Sequence, residues 1–266
     1  MVKFKLERIL IATDGTPASQ TAIKAGIYLA KNFGSKIYGI CVGELPLPGL
    51  PVIEAMEKRA KEIVDQLKSE VEKEGIDCEV IPELADEVAD CIIEEAKKRN
   101  VDLVIVGKKK KRPILTSVAI PVTAHCPLDV LVVPEGIKPD FSKILIAVDG
   151  TVYSELAAKK GFEMVKKLGS EVLVISVAEN DEDVPYAEEA VNLTQYVAEK
   201  EGVSIKPVIE KGKPTEKIIE TAKNNSIGLI IMGSHGKSSE DYAIGDIIRK
   251  VLEVTTIPVM VVKRPK

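Results

Sequence analysis

No apolar run in the sequence approaches the roughly 18 residues that a membrane span requires. There is no CxxC pair among the four cysteines and no surplus of basic residues. Each absence removes a class of protein. The amino terminus, Met1-Val2-Lys3-Phe4-Lys5-Leu6-Glu7, leads directly into the first apolar segment, so no secretory leader is expected. Cys41, Cys78, Cys91 and Cys126 all fall in the first half without metal-ligand spacing. Cys41 reads as a strand-end residue and Cys91 as helical, so the thiols are expected as small buried hydrophobes with no disulfide and no zinc site. A formal net charge of −4 argues against a nucleic-acid partner, which usually meets a basic face. The expectation is a cytoplasmic protein with neither nucleic acid nor membrane as partner.

What is present is a repeat. Ile9-Leu10-Ile11-Ala12-Thr13-Asp14-Gly15-Thr16 returns as Ile144-Leu145-Ile146-Ala147-Val148-Asp149-Gly150-Thr151, 135 residues on. The segment from Gly34 to Val42 answers to that from Gly169 to Val177 at the same offset. Farther along, Val101-Asp102-Leu103-Val104-Ile105-Val106-Gly107 answers to Ile227-Gly228-Leu229-Ile230-Ile231-Met232-Gly233 at an offset of 126, so the second copy is nine residues shorter between these blocks. Each copy closes on an apolar strand, Val130–Val133 and Val259–Val262. Two copies of about 130 residues are two domains of ordinary size, expected over 1–137 and 140–266, rather than a solenoid.

Within each copy, continuous Ile/Leu/Val runs alternate with amphipathic helical stretches. Such runs suit strands buried on both faces of a parallel sheet. Strands are expected near 8–13, 36–42, 77–81, 102–106 and 129–133, and near 143–148, 171–177, 203–209, 228–232 and 258–262. The first helix is expected to start at Thr16 as N-cap with Pro17 behind it, and to stop at Gly34. The predicted fold class is α/β, with two tandem doubly wound parallel five-stranded sheets of strand order 3-2-1-4-5.

In such a sheet, ligands sit beyond the carboxyl ends of the strands, where the winding reverses. That places Asp149-Gly150-Thr151 beside Gly233-Ser234-His235-Gly236-Lys237. Glycines after a strand let backbone N–H groups converge on an anion, and a helix start adds positive potential. Gly236-Lys237-Ser238 is not the end of a P-loop, because Ile231 stands where that pattern needs glycine. Asp14 and Asp149 have a second reading as turn residues in Asp-Gly pairs. His235 reads as a surface hydrogen-bonder or a phosphate-orienting group. Glu179-Asn180-Asp181-Glu182-Asp183 reads as a solvated acidic loop.

These residues resemble the universal stress protein family, in tandem form, over essentially the whole length. The family's nucleotide motif is Gly-x2-Gly-x9-Gly-(Ser/Thr). Here Gly233-Ser234-His235-Gly236 is followed after eight residues by Gly245-Asp246, and the chain closes on Ile257-Pro258-Val259-Met260-Val261-Val262. The resemblance implies an adenine nucleotide alpha hydrolase-like fold. It also implies an adenosine end at Ala147, Asp149 and Val177 and a phosphate end at Gly233, Ser234, His235, Gly236, Lys237, Gly245 and Asp246. In the first copy Ala12, Asp14, Val42 and Gly107 match. The implied ligand is AMP, ADP or ATP, with Mg²⁺ where phosphates would meet Asp246.

Two departures bear on the ligand. The spacer is one residue short, and Asp246 replaces a hydroxyl donor with a carboxylate, which opposes phosphate or caps the following helix in its place. In the first copy, Lys108-Lys109-Lys110-Lys111-Arg112 replaces the second glycine, and Thr116 the third. That basic loop reads either as solvated or as an anion holder. The sequence therefore points to a regulatory stress-response module with, at most, one conventional nucleotide site, in the second copy. A protein-interaction scaffold with vestigial pockets and a weak ATP hydrolase are the alternatives. The last strands are expected to pair into an intrachain pseudo-dimer, with a homodimer of chains possible.

Overall fold

The computed structural model describes residues 5–46, 52–110, 118–236 and 244–264. The chain divides into two compact units, one ending at Pro139 and the other beginning at Asp140.

The first unit runs β1 (Arg8–Ala12), α1 (Pro17–Phe33), β2 (Lys36–Glu44), α2 (Ile53–Lys73), β3 (Cys78–Ala85), α3 (Val88–Lys98), β4 (Leu103–Lys108), α4 (Ala119–His125) and β5 (Asp129–Pro134). Its strands pair in parallel in the order β3-β2-β1-β4-β5. The second unit runs β6 (Lys143–Ala147), α5 (Val152–Leu168), β7 (Glu171–Ala178), α6 (Val184–Lys200), β8 (Lys206–Lys211), α7 (Pro214–Asn224), β9 (Leu229–Gly233), α8 (Asp246–Val254) and β10 (Val259–Val262). Its order is β8-β7-β6-β9-β10, the same winding. Both units are thus doubly wound with local order 3-2-1-4-5.

The apolar runs explain the centre of each sheet. Ile9, Leu10 and Ile11 of β1 and Ile144, Leu145 and Ile146 of β6 are fully buried, as are Val104 and Ile105 of β4 and Leu229, Ile230 and Ile231 of β9. The third strands are different: β8 reads Lys-Pro-Val-Ile-Glu-Lys and is mostly exposed, as an edge strand can be.

Local chemistry sets the first helices. Thr16 stands at the N-cap of α1 with Pro17 behind it, but its side chain makes no cap bond; its hydroxyl donates to Asp14. In α5 the equivalent Thr151 does cap, accepting from the Ser154 amide. Both helices end on a left-handed glycine, Gly34 and Gly169. Cys41, expected at a strand end, lies inside β2, which continues to Glu44. The acidic stretch after β7 forms a short 3₁₀ turn, Asp181–Asp183, capped by Asn180, whose side chain accepts from two backbone amides.

Candidate functional site

The carboxyl ends of β6 and β9 flank a cleft in the second unit. Ala147, Asp149, Val177, Gly233, His235, Gly236, Gly245 and Asp246 all line it, so most of the sequence-selected residues meet in one place. Its walls are apolar, with Ile175, Ile218, Met232 and Ile248 among them. Ser234 lies beneath, almost fully buried. Lys237 falls outside the described residues, as do Lys111, Arg112 and Thr116.

Asp149 serves two purposes. Its Oδ1 accepts from the Thr151 amide at 3.1 Å and the Thr151 hydroxyl at 2.7 Å, which holds the tight turn through Gly150, whose φ is 78°. Its Oδ2 is left facing Gly236: a Cβ on Gly236 would lie 3.0 Å from that oxygen. The turn reading of Asp149 and its binding reading are therefore compatible, one oxygen for each. The Ser154 hydroxyl ties the same turn together, accepting from the Asp149 amide and donating to the Thr151 carbonyl.

The glycines divide in role. A Cβ on Gly233 would fall 2.6 Å from backbone atoms of Tyr153 and 2.9 Å from the Ser154 nitrogen, so this glycine seats the end of β9 against the start of α5. Gly107 does the same in the first unit, with the Ala18 carbonyl at 2.5 Å. Gly236 is the glycine that admits close approach to the cleft. Gly245 is the N-cap of α8, and its amide donates to the Ser234 carbonyl at 3.0 Å.

Asp246 does not cap α8. It is the first helical residue, and Gly245 stands at the N-cap. One oxygen takes Arg249 at 2.8 Å and the other takes Lys250. These cations, Lys250 foremost, hold the Asp246 carboxyl below the usual aspartate range. The carboxylate is paired with two cations of its own helix, with which a divalent cation would have to compete.

His235 is fixed in place. Its Nδ1 lies 2.9 Å from the Ser234 hydroxyl and its ring packs on Tyr153 with centroids 4.9 Å apart. The buried Ser234 hydroxyl is no exposed nucleophile.

The first unit has a matching cleft of about 210 Å³, lined by Ala12, Asp14, Val42 and Gly107 together with Thr16, Ile40, Ile92 and Lys109. The basic loop is not simply solvated where it is described. Lys108 is buried, Lys109 reaches Asp14 Oδ2 at 2.9 Å, and the Lys110 amide donates to Glu135 at 3.2 Å. Partial burial pushes the Asp14 carboxyl up, but Thr16 and Lys109 outweigh it and leave the group below its ordinary value.

Sequence reasoning missed Ser154, Arg249, Lys250 and the Lys109 contact. Ser154 was readable from the repeat: Ser19 stands five residues after Asp14, as Ser154 does after Asp149, and its hydroxyl donates to the Thr16 carbonyl in the same way.

Fold and site together describe a duplicated α/β protein with a cleft over the sheet switch point. The sequence model of the universal stress protein family matches residues 5–134 and again 140–263, and the chain belongs to that family. Universal stress protein MJ0531 of Methanocaldococcus jannaschii is 30% identical over 143 residues, 47% of this chain and 84% of that protein. Universal stress protein Slr1230 of Synechocystis is 23% identical over 96% of this chain and 99% of its own length. The crystal structure of a universal stress protein from Archaeoglobus fulgidus superposes with a TM-score of 0.82 at 24% identity. It covers 98% of this chain and all of that one, which supports the tandem fold. Among the described residues no helix is long and apolar enough to cross a membrane.

Proposed function

We propose that this universal stress protein is a regulatory, cytoplasmic stress-response module that binds an adenine nucleotide in its second unit. The observation that carries this reading is the divided carboxylate of Asp149. Thr151 holds Oδ1, and Oδ2 remains at the cleft beside Gly236, placed to accept from a ligand hydroxyl. Ala147, Val177 and Ile175 supply an apolar wall for a base. Gly233, Gly236, Gly245 and the start of α8 would form the phosphate end, where Arg249 and Lys250 pair with Asp246. The residues fit AMP, ADP or ATP without needing Mg²⁺ to relieve repulsion. Binding rather than turnover is expected, since no described group combines exposure and geometry to activate water.

Assembly is part of the same reading. The two apolar last strands would pair within the chain as a pseudo-dimer and so cover edges that otherwise invite aggregation; a homodimer of chains remains compatible with that arrangement.

The direct test is to denature purified protein, identify released nucleotide by chromatography, and titrate AMP, ADP and ATP against the stripped protein. Binding of one adenine nucleotide, lost in Asp149→Asn, is the expected outcome. No released nucleotide and no titratable one would leave the scaffold reading instead.

A further inference from the structure

The two clefts share a turn but differ in what meets its carboxylate. In both units the first oxygen is spent on the turn: Thr16 donates its amide and hydroxyl to Asp14 Oδ1 at 3.1 and 2.5 Å, as Thr151 does to Asp149 Oδ1. In the second unit Oδ2 faces a glycine. In the first unit Oδ2 holds the Lys109 ammonium at 2.9 Å.

The repeat explains why the loops part here. Lys109 takes the place of His235, two residues beyond Gly107 and Gly233 respectively. His235 is held by the Ser234 hydroxyl and the Tyr153 ring. The corresponding partners in the first unit are Lys108 and Ala18, which offer neither a hydroxyl nor a ring. The long lysine side chain instead turns to the nearest carboxylate. The cleft behind it has not filled in: it keeps Ala12, Ile40, Val42, Ile92 and Val106 as walls and is larger than its counterpart, about 210 against about 100 Å³.

We propose that Lys109 is the specificity-determining residue of the first cleft: its ammonium occupies the Asp14 oxygen that would otherwise accept from a ligand hydroxyl, and so excludes the nucleoside that the second cleft admits. The first unit is then a retained site closed by an internal ion pair. A ligand enters only if it does not need Asp14 as acceptor. This assignment rests on the reading of Asp149 Oδ2 as a hydroxyl acceptor.

The test is the number of adenosine sites per intact chain, by isothermal titration calorimetry, in the parent, Lys109→Ala, Lys109→Met and Lys109→Ala/Asp14→Asn proteins, with folding checked by circular dichroism. Adenosine is the probe because it carries no phosphate on which lysine could act directly. One additional site in both single variants, lost again in the double variant, is expected. No additional site in either folded single variant, or one that survives Asp14→Asn, overturns the proposal. A parent protein that binds no adenosine, beside a Lys109 variant that binds one, would refute the second-unit reading while sustaining this one. Parent protein already binding two would refute the exclusion by Lys109 alone.

Discussion

At the scale of single residues, the Asp246 carboxylate sits in a different setting from the one its sequence position suggests. Asp246 looks hostile to phosphate in the sequence, but Arg249 and Lys250, one helical turn on, cancel it. Asp246→Ser releases Lys250, while Arg249 keeps its pair with Glu253. ATP affinity is therefore expected to rise several-fold at low salt. The gain should vanish near 1 M salt, where the screening length falls to about 3 Å; a titration series across ionic strength checks it. The cysteines give a second expectation. Burial, the leading cause, raises the Cys41 thiol to about 11 and the Cys78 thiol to about 12 from an ordinary 9.0. The fold favours the neutral thiol. Their contribution to stability is thus fully present below pH 9.0 and is lost as pH rises from there toward about 12, because the unfolded chain ionises first. Comparing urea midpoints of the parent and Cys78→Ala from neutral to alkaline pH should show the gap between them narrowing above pH 9.0. Below that value neither native thiol should react readily with an alkylating reagent.

At the scale of elements, the fourth strand meets the first helix in a close backbone contact at each cleft. Gly107 and Gly233 let those backbones meet, and any Cβ would press on main-chain atoms at 2.5 to 2.6 Å. Gly107→Ala and Gly233→Ala should each cost about 3 kcal/mol, the upper end of overpacking effects. The backbone has no rotamer with which to yield. Thermal unfolding reads the loss, and in Gly233→Ala nucleotide affinity should fall with it. These glycines also show what could be read in advance. Strand positions were legible because fully buried parallel strands leave continuous Ile/Leu/Val runs, as in Ile9–Ile11 and Leu229–Ile231. The convergence of Asp149, Gly233 and Gly236 followed from topology once the strand order was fixed. The division of labour was not legible. That Gly233 serves packing and Gly236 the cleft depends on a Cβ distance, which spacing along a chain does not encode. The Lys109–Asp14 pair and the Asp246 cluster depend on side-chain reach, and a row of five cations in sequence reads equally as solvated or engaged.

At the scale of the whole molecule, duplication has kept the architecture and changed the side chains that meet in each cleft. Both units retain the Asp-Gly-Thr turn, the bracing serine and a cleft over the switch point, while among the described residues Asp14 Oδ2 is held by Lys109 and Asp149 Oδ2 faces Gly236. The proposed pairing of the last strands within the chain predicts that truncation after Lys138 exposes an apolar edge. That fragment should self-associate or precipitate, and a soluble, monodisperse monomer in light scattering would count against an obligatory intrachain interface. The account's central claim is functional asymmetry, and equilibrium dialysis of labelled AMP against the intact protein tests it most directly. It predicts one AMP per chain, abolished by Asp149→Asn and unchanged by Asp14→Asn. Two AMP per chain, none, or a loss of binding caused by Asp14→Asn would contradict it.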